Sequence, residues 1–262
     1  MKKPLALVTG ASSGIGKAYA QHLAASGYAL YLVGQDHKRL EAAAAQFPQH
    51  VTQALALDLS QPASLEKLQK ELPPLDVIVA NAGITKVTRV GESSEEERRR
   101  LFYLLCGGVI DLLEQQIPIM RQRGGGRVVI ISSIAAITPM SKSSIYAAAK
   151  AGVASYGASI ADELKSSGVS VTTSLPGYVR TNAHARAGLQ HLHKNIPSWM
   201  WMDSEQVVRE TEAASLRARK QIVPGLVYRL ARPFLASLLA QRVWQSLSGR
   251  SARKIGQLRS QQ

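Results

Sequence analysis

The chain has 262 residues, 45% hydrophobic and 19% charged, with a net charge of +14. That balance excludes a disordered or fibrous chain, and the length fits one α/β domain or two small ones with a sizeable core. The single cysteine, Cys106, excludes an internal disulfide and a cysteine-based metal cluster, and no run of about 18 uncharged apolar residues makes a membrane-spanning helix.

Met1-Lys2-Lys3-Pro4 leads straight into a strand-like run, without a leader pattern, so a reducing, cytoplasmic compartment is expected. The first strand covers Leu5–Thr9, and a helix follows over Gly14–Ser26 with Gly27 as its C-cap. Ala29–Val33 reads as the second strand and Lys38–Gln46 as an Ala-rich helix. Val51–Leu57 is the third strand, and Pro62–Glu71 a helix with proline in its first turn. Asp76–Ala80 is the fourth strand, followed by a long helix from about Ser94 to Arg121. Arg127–Ser132 is β-branched throughout its middle, as a strand buried on both faces should be. Ser143–Ser166 is a helix and Val169–Ser174 the sixth strand. Residues 182–203 read as irregular. Residues 204–262 read as helical, apart from a short apolar run at Gln221–Val223 broken by Pro224-Gly225. This β-α alternation predicts an α/β fold, a doubly wound parallel sheet with right-handed crossovers.

Two motifs carry chemistry. Thr9-Gly10-Ala11-Ser12-Ser13-Gly14-Ile15-Gly16 joins the first strand to the first helix. Its glycines permit a tight turn and close approach of a ligand, and the helix start offers free N–H groups and a positive dipole end to a pyrophosphate. Tyr146 and Lys150 stand four residues apart, on one face of a helix, with Ser133 thirteen residues upstream of the tyrosine. A phenol titrates near pH ~10 and is a poor acid/base at neutrality; an adjacent ammonium favours the phenolate and lowers that pKa. Taken alone, the pair is a weak signal that reads first as a helical surface contact.

Taken together, the glycine-rich turn, Asp58, Asn81-Ala82-Gly83, Ser133, Tyr146-x-x-x-Lys150 and Pro176-Gly177 with Thr181 resemble the short-chain dehydrogenase/reductase family, in family order and spacing, over about residues 4–182. The resemblance implies a Rossmann-like fold with a seven-stranded parallel sheet over residues 1–223, with 224–262 as a basic C-terminal extension. It implies a nicotinamide dinucleotide and hydride transfer between it and a ketone or secondary alcohol. By that resemblance Ser133 orients the carbonyl, Tyr146 is the acid/base, and Lys150 holds the nicotinamide ribose and lowers the tyrosine pKa. Cofactor contacts would come from Thr9, Gly10, Ser12, Ser13, Gly14, Ile15 and Gly16, from Gln35 and Lys38, and from Asp58 and Leu59 beside the adenine. Asn81, Ala82 and Gly83 would line the cofactor path, and Pro176, Gly177, Val179 and Thr181 the carboxamide. A homodimer or homotetramer is implied as well.

After the second strand stands Gly34-Gln35-Asp36-His37-Lys38-Arg39. The acid that would bind the ribose 2′-hydroxyl of NAD is missing at position 34, and Asp36 comes one residue late for that role. His37, Lys38, Arg39 and Lys17 could supply positive charge, or be solvated helix residues. NADP(H) is therefore favoured over NAD(H).

The family's asparagine in the long helix, which holds a water in a proton relay through the lysine, aligns with Leu105. Leucine cannot hydrogen-bond. The adjoining Cys106-Gly107-Gly108 is poor helix, which marks a local distortion or a close helix approach. An active enzyme with an altered relay is expected, the alternative being a slow or non-catalytic member that binds nucleotide at a membrane surface or in a complex. Residues 182–203, with His184, His191, His193, Lys194, Trp199, Met200, Trp201 and Met202, occupy the place of the substrate loop. Their composition suggests a large hydrophobic substrate (3-oxoacyl, steroid-like or otherwise lipid-like), and no metal. From Ala213 onward there are ten Lys/Arg and no Asp or Glu, leaving +4 of the +14 for the rest. Leu226, Leu230, Phe234 and Leu238 recur at helical spacing among arginines. Such a helix suits peripheral contact with an anionic membrane, or packing on the core or a partner subunit; nucleic acid is disfavoured for want of a motif.

Overall fold

A computed structural model describes residues 3–181 and 196–235. Strands β1 (Leu5–Thr9), β2 (Ala29–Gly34), β3 (Val51–Ala56), β4 (Val77–Ala80), β5 (Gly126–Ile131), β6 (Val169–Ser174) and β9 (Gln221–Ile222) form one sheet in the order β3-β2-β1-β4-β5-β6-β9. Every pairing in it is parallel. The order reverses between β1 and β4, and at such a switch point the strand C-termini leave a crevice for a ligand.

Helices cover both faces, as α/β alternation with parallel strands requires. Alternation within β1 makes the division visible. Leu7 joins Ile78, Val128 and Ile130 beneath α3 (Pro62–Glu71), α5 (Gly108–Gln122) and α6 (Ser144–Glu163). Ala6 and Val8 join Leu30, Leu32, Val79 and Val129 beneath α1 (Gly14–Ala25), α2 (His37–Ala44) and α7 (Ser204–Ser215). Two helix starts are capped by side chains. Asp36 accepts from the Arg39 backbone N–H at the start of α2, and Ser94 and Glu97 form a reciprocal capping box on α4 (Glu95–Phe102).

The expected helix from Ser94 to Arg121 is not continuous. α4 gives way at Tyr103–Gly107 to a π-helical segment, and α5 resumes at Gly108. Gly107 and Gly108 explain why. A Cβ on either would come within 3.1 Å of the Tyr103 ring, which lies across both glycines and donates from its hydroxyl to Asp111 at 2.9 Å. The close helix approach is present too: Cys106 Sγ stands 3.0 Å from where a Cβ of Gly152 on α6 would sit.

A second departure lies in the stretch expected to be irregular. β7 (Tyr178–Val179) and β8 (Trp201–Met202) form a separate two-stranded parallel ribbon. Two-residue strands carry no periodic signal, so the sequence could not announce it. The short apolar run at Gln221 does form the seventh strand, β9, and α8 covers Leu226–Leu235. His184, His191, His193, Lys194 and the basic stretch after residue 235 lie outside the described residues. Among the described residues, no helix is long and apolar enough to cross a membrane.

Candidate active site

A cleft of about 750 Å³ opens along the C-terminal ends of the strands, within the ~300–1,000 Å³ of small-molecule sites. One end is built by the glycine-rich turn. Gly10 and Gly14 have φ of +68° and +55°, values that side chains rarely adopt. Gly14 faces Thr181, whose Cγ2 lies 3.0 Å from the position of a Cβ. Gly10, Ser12, Ser13, Gly14 and Ile15 line the cleft. α1 begins at Gly14 and Ile15 on the cleft wall and has no acid in its first turn, so the positive end of its dipole stands beside the cleft. This cradle suits a pyrophosphate.

Thr9 and Gly16 do not line the cleft; they hold it together. Thr9 Oγ1 accepts from the backbone N–H groups of Asn81 (2.9 Å) and Ala82 (3.0 Å), and Asn81 Nδ2 donates to the Thr9 carbonyl at 2.9 Å. A Cβ on Gly16 would fall 2.2 Å from the Gly10 carbonyl oxygen, so only glycine lets α1 sit that close to its own turn. Asn81, Ala82 and Gly83 line the cleft directly.

At the β2 end, Gly34, Gln35, Asp36 and Arg39 border the cleft. Lys38 does not; it is exposed on the first turn of α2. Asp36 is occupied: besides capping α2 it pairs with Arg39 Nε at 2.8 Å, and the bond from the Arg39 N–H holds its carboxyl below the ordinary range. Asp58 and Leu59 line the cleft as expected. Asp58 also accepts from the Ser60 hydroxyl (2.7 Å) and from Arg100 (2.7 Å), a tie to α4 that the sequence did not show.

The opposite wall brings Ser133, Tyr146 and Lys150 together. Ser133 caps a 3₁₀ turn over Ile134–Ala136, its Oγ accepting from Ala135 N–H at 3.1 Å, and its hydroxyl stands near enough to the Tyr146 phenol to pull that group's pKa down. Lys150 is buried, and its ammonium donates to the Ile131 carbonyl at 2.8 Å. The bordering helix contributes Leu104 and Leu105. A Cβ on Gly83 would meet Leu105 Cδ2 at 2.9 Å and Lys150 Nζ at 3.8 Å, so leucine and lysine flank the same glycine.

The electrostatics differ from the simple expectation that lysine lowers the tyrosine pKa. Burial pushes the Tyr146 phenol above its ordinary value, with the Ser133 hydroxyl pulling it down by less. Burial also lowers Lys150 from 10.5 to about 8, opposed by the neighbouring Cys106 thiol. Desolvation is the larger influence at both groups.

Pro176, Gly177, Val179 and Thr181 close the far side. Beside Met200, already read as part of the substrate loop, the structure adds residues that the sequence did not place at the site: Met140, Val227, Tyr228 and Ala231. The last three come from α8, in the stretch read as an extension.

Residues 4–191 match the family model described as short chain dehydrogenase. The chain is 32% identical over 182 residues to a 3-oxoacyl-acyl-carrier-protein reductase of Escherichia coli (strain K12), covering 68% of this chain and 74% of that one. Among solved structures it is similar to a short-chain dehydrogenase from Sphingobium yanoikuyae in complex with NADPH, at 29% identity and a TM-score of 0.79, covering 97% and 95% of the two chains. A short-chain dehydrogenase from Streptomyces avermitilis gives 26% identity and a TM-score of 0.78, covering 96% and 98%.

Proposed function

The chain belongs to the short-chain dehydrogenase/reductase family and is an NAD(P)-dependent oxidoreductase; from that premise we propose that it is a ketoreductase using NADP(H), with Ser133, Tyr146 and Lys150 as its catalytic residues and a bulky, apolar ketone as its substrate. The observation that carries the reading is the convergence of those three side chains on a cleft whose other end is a glycine cradle at a helix N-terminus.

When bound, the nicotinamide supplies hydride to the carbonyl carbon. The protein's own residues do the rest. The Ser133 hydroxyl, beside Tyr146, holds the substrate oxygen at the phenol. Tyr146 gives its proton to that oxygen as charge develops on it, which is general acid catalysis. Its raised pKa keeps the proton on the phenol at neutral pH, the form that reduction needs. Lys150 would hold the ribose, and its ammonium would return a proton to the phenolate left behind. Gly83, Leu105 and the Pro176–Thr181 segment keep that end of the cleft narrow.

The preference for the phosphorylated dinucleotide is supported by Gly34, by the engagement of Asp36 with α2 and Arg39, and by the Arg39 guanidinium at the cleft edge. Arginine suits a phosphate through its planar fork of donors. The large apolar substrate is supported by Met140, Met200, Val227 and Ala231 on the cleft wall, and by relatives that include a 3-oxoacyl-acyl-carrier-protein reductase.

The test is Tyr146→Phe, assayed on a panel of ketones and 3-oxoacyl thioesters with NADPH and NADH. Turnover falls by about 10²-fold or more, the range for loss of a general acid, while NADPH fluorescence reports unchanged cofactor binding. Turnover close to wild type in the variant would refute the assignment, and faster turnover with NADH would refute the cofactor preference.

A further inference from the structure

The two stems of the substrate loop, entering through β7 and leaving through β8, are held by their pairing, Tyr178↔Trp201 and Val179↔Met202. A tilted ring contact between Tyr178 and Trp201, 5.4 Å between centroids, lies across it. A third element fastens them from outside. Tyr228 of α8 is 4% exposed. Its phenol oxygen accepts from the Tyr178 backbone N–H at 3.0 Å and donates to the Met200 carbonyl at 2.6 Å. One hydroxyl therefore bridges a residue before the loop and a residue near the loop's end.

The ring of Tyr228 is equally committed. It lies flat against Gly177: a Cβ there would fall 2.1–2.3 Å from three ring carbons. Glycine at 177 is thus demanded by α8, from fifty-one positions downstream. The neighbours Val227 and Ala231 on the same helix line the cleft, as does Met200. The charged residues of α8 are engaged elsewhere, Arg229 with Glu210 (2.7 Å) and Arg232 with the Gln221 side chain. The wall that α8 offers the substrate is apolar and, at Ala231, small.

We propose that Tyr228 is a positioning residue that locks the base of the substrate loop, and that Val227 and Ala231, placed by it, set the largest apolar substituent a ketone can carry into the cleft. This rests on the ketoreductase reading. It assigns size selection to the C-terminal helix, on top of whatever the loop supplies. A change of one or two methylenes in an apolar pocket shifts selectivity about tenfold to two-hundredfold.

The experiment uses the full chain with NADPH and two ketones, a small methyl ketone and one bearing a bulky aryl or long acyl group. Ala231→Leu lowers the bulky-to-small ratio of kcat/KM about tenfold or more. Val227→Ala, which removes bulk, moves that ratio the other way. Tyr228→Phe keeps the ring and loses both hydrogen bonds; KM for the bulky ketone rises by more than kcat falls, and NADPH affinity by fluorescence moves less than threefold. Equal losses on both ketones in Ala231→Leu, or a Tyr228→Phe effect confined to kcat, overturn the inference while leaving the ketoreductase reading intact. No turnover of either ketone by the wild-type chain overturns that reading, and the inference with it.

Discussion

Leu105 is the residue that most separates this site from the pattern it resembles. Lys150 donates to the Ile131 carbonyl, and burial holds its pKa near 8. The sign of the linkage follows. The unfolded chain keeps this proton up to 10.5, the folded chain only to about 8, so the lysine opposes folding below pH about 8 and ceases to do so as pH rises through that window. For catalysis the same burial favours the neutral phenol at Tyr146, so reduction runs at neutral pH and alcohol oxidation, which needs the phenolate, gains rate only toward alkaline pH. Leu105→Asn places an oxygen beside Gly83, where it can accept from the ammonium. The cation then persists to higher pH, and the alkaline limb of the oxidation profile moves acidward. An oxidation profile identical to wild type would show that Leu105 has no influence on the proton path. The triad itself was legible because its spacing is fixed by one helix and one strand end. The reversed direction of the Tyr146 shift was not, because it depends on how deeply each group sits.

The π-helical segment Tyr103–Gly107 is the element that shapes this neighbourhood. A π turn inserts an extra residue into an α-helix and re-aims the side chains beyond it; here those include Leu104 and Leu105 on the cleft wall. Its cause is local. Tyr103 folds back over Gly107 and Gly108, anchored by Asp111, and burial with that bond raises the phenol's pKa further. Gly108→Ala gains roughly 1 kcal/mol of helix propensity but presses a methyl to 3.1 Å from the Tyr103 ring and 3.2 Å from its carbonyl oxygen. Stability therefore changes by less than about 1 kcal/mol, while the displaced turn costs kcat/KM several-fold. A variant with wild-type kinetics would mean the turn does not set the cleft wall. The glycine pair signalled a distortion in the sequence. Its π character was hidden, since it arises from an aromatic ring four and five residues upstream in a helix whose apolar periodicity reads through unbroken.

On the scale of the molecule, six of the seven strands and their order of alternation could be read directly: β1, β2, β4 and β5 are mostly apolar, largely buried runs, and β3, at the sheet edge, alternates between half-buried and exposed residues. What joins distant parts was not readable. Arg127, at the start of β5, reads as a solvated strand-end residue. In the structure it forms an ion pair with Glu212 of α7 at 2.8 Å, both side chains nearly buried, and donates to Ser215 at 3.0 Å. Tyr19 of α1 donates to the same Glu212 at 3.2 Å. This cluster binds α1, α7 and the sheet across almost two hundred residues of sequence. Glu212→Ala strands the arginine without its anion. It destabilises the fold by about 3–5 kcal/mol, a fall in Tm of roughly 10 °C in a chain this size; a thermal scan with Tm unchanged would show the pair to be dispensable. The chain's one thiol has a different consequence. Cys106 is 3% exposed, in the seam between the π turn and Gly152 of α6, and burial raises its pKa. An alkylating reagent reaches it only when that seam parts. The rate of labelling is thus a clock, native to the chain, for the opening of the wall that carries Leu105, and it can be read without adding or removing a single residue.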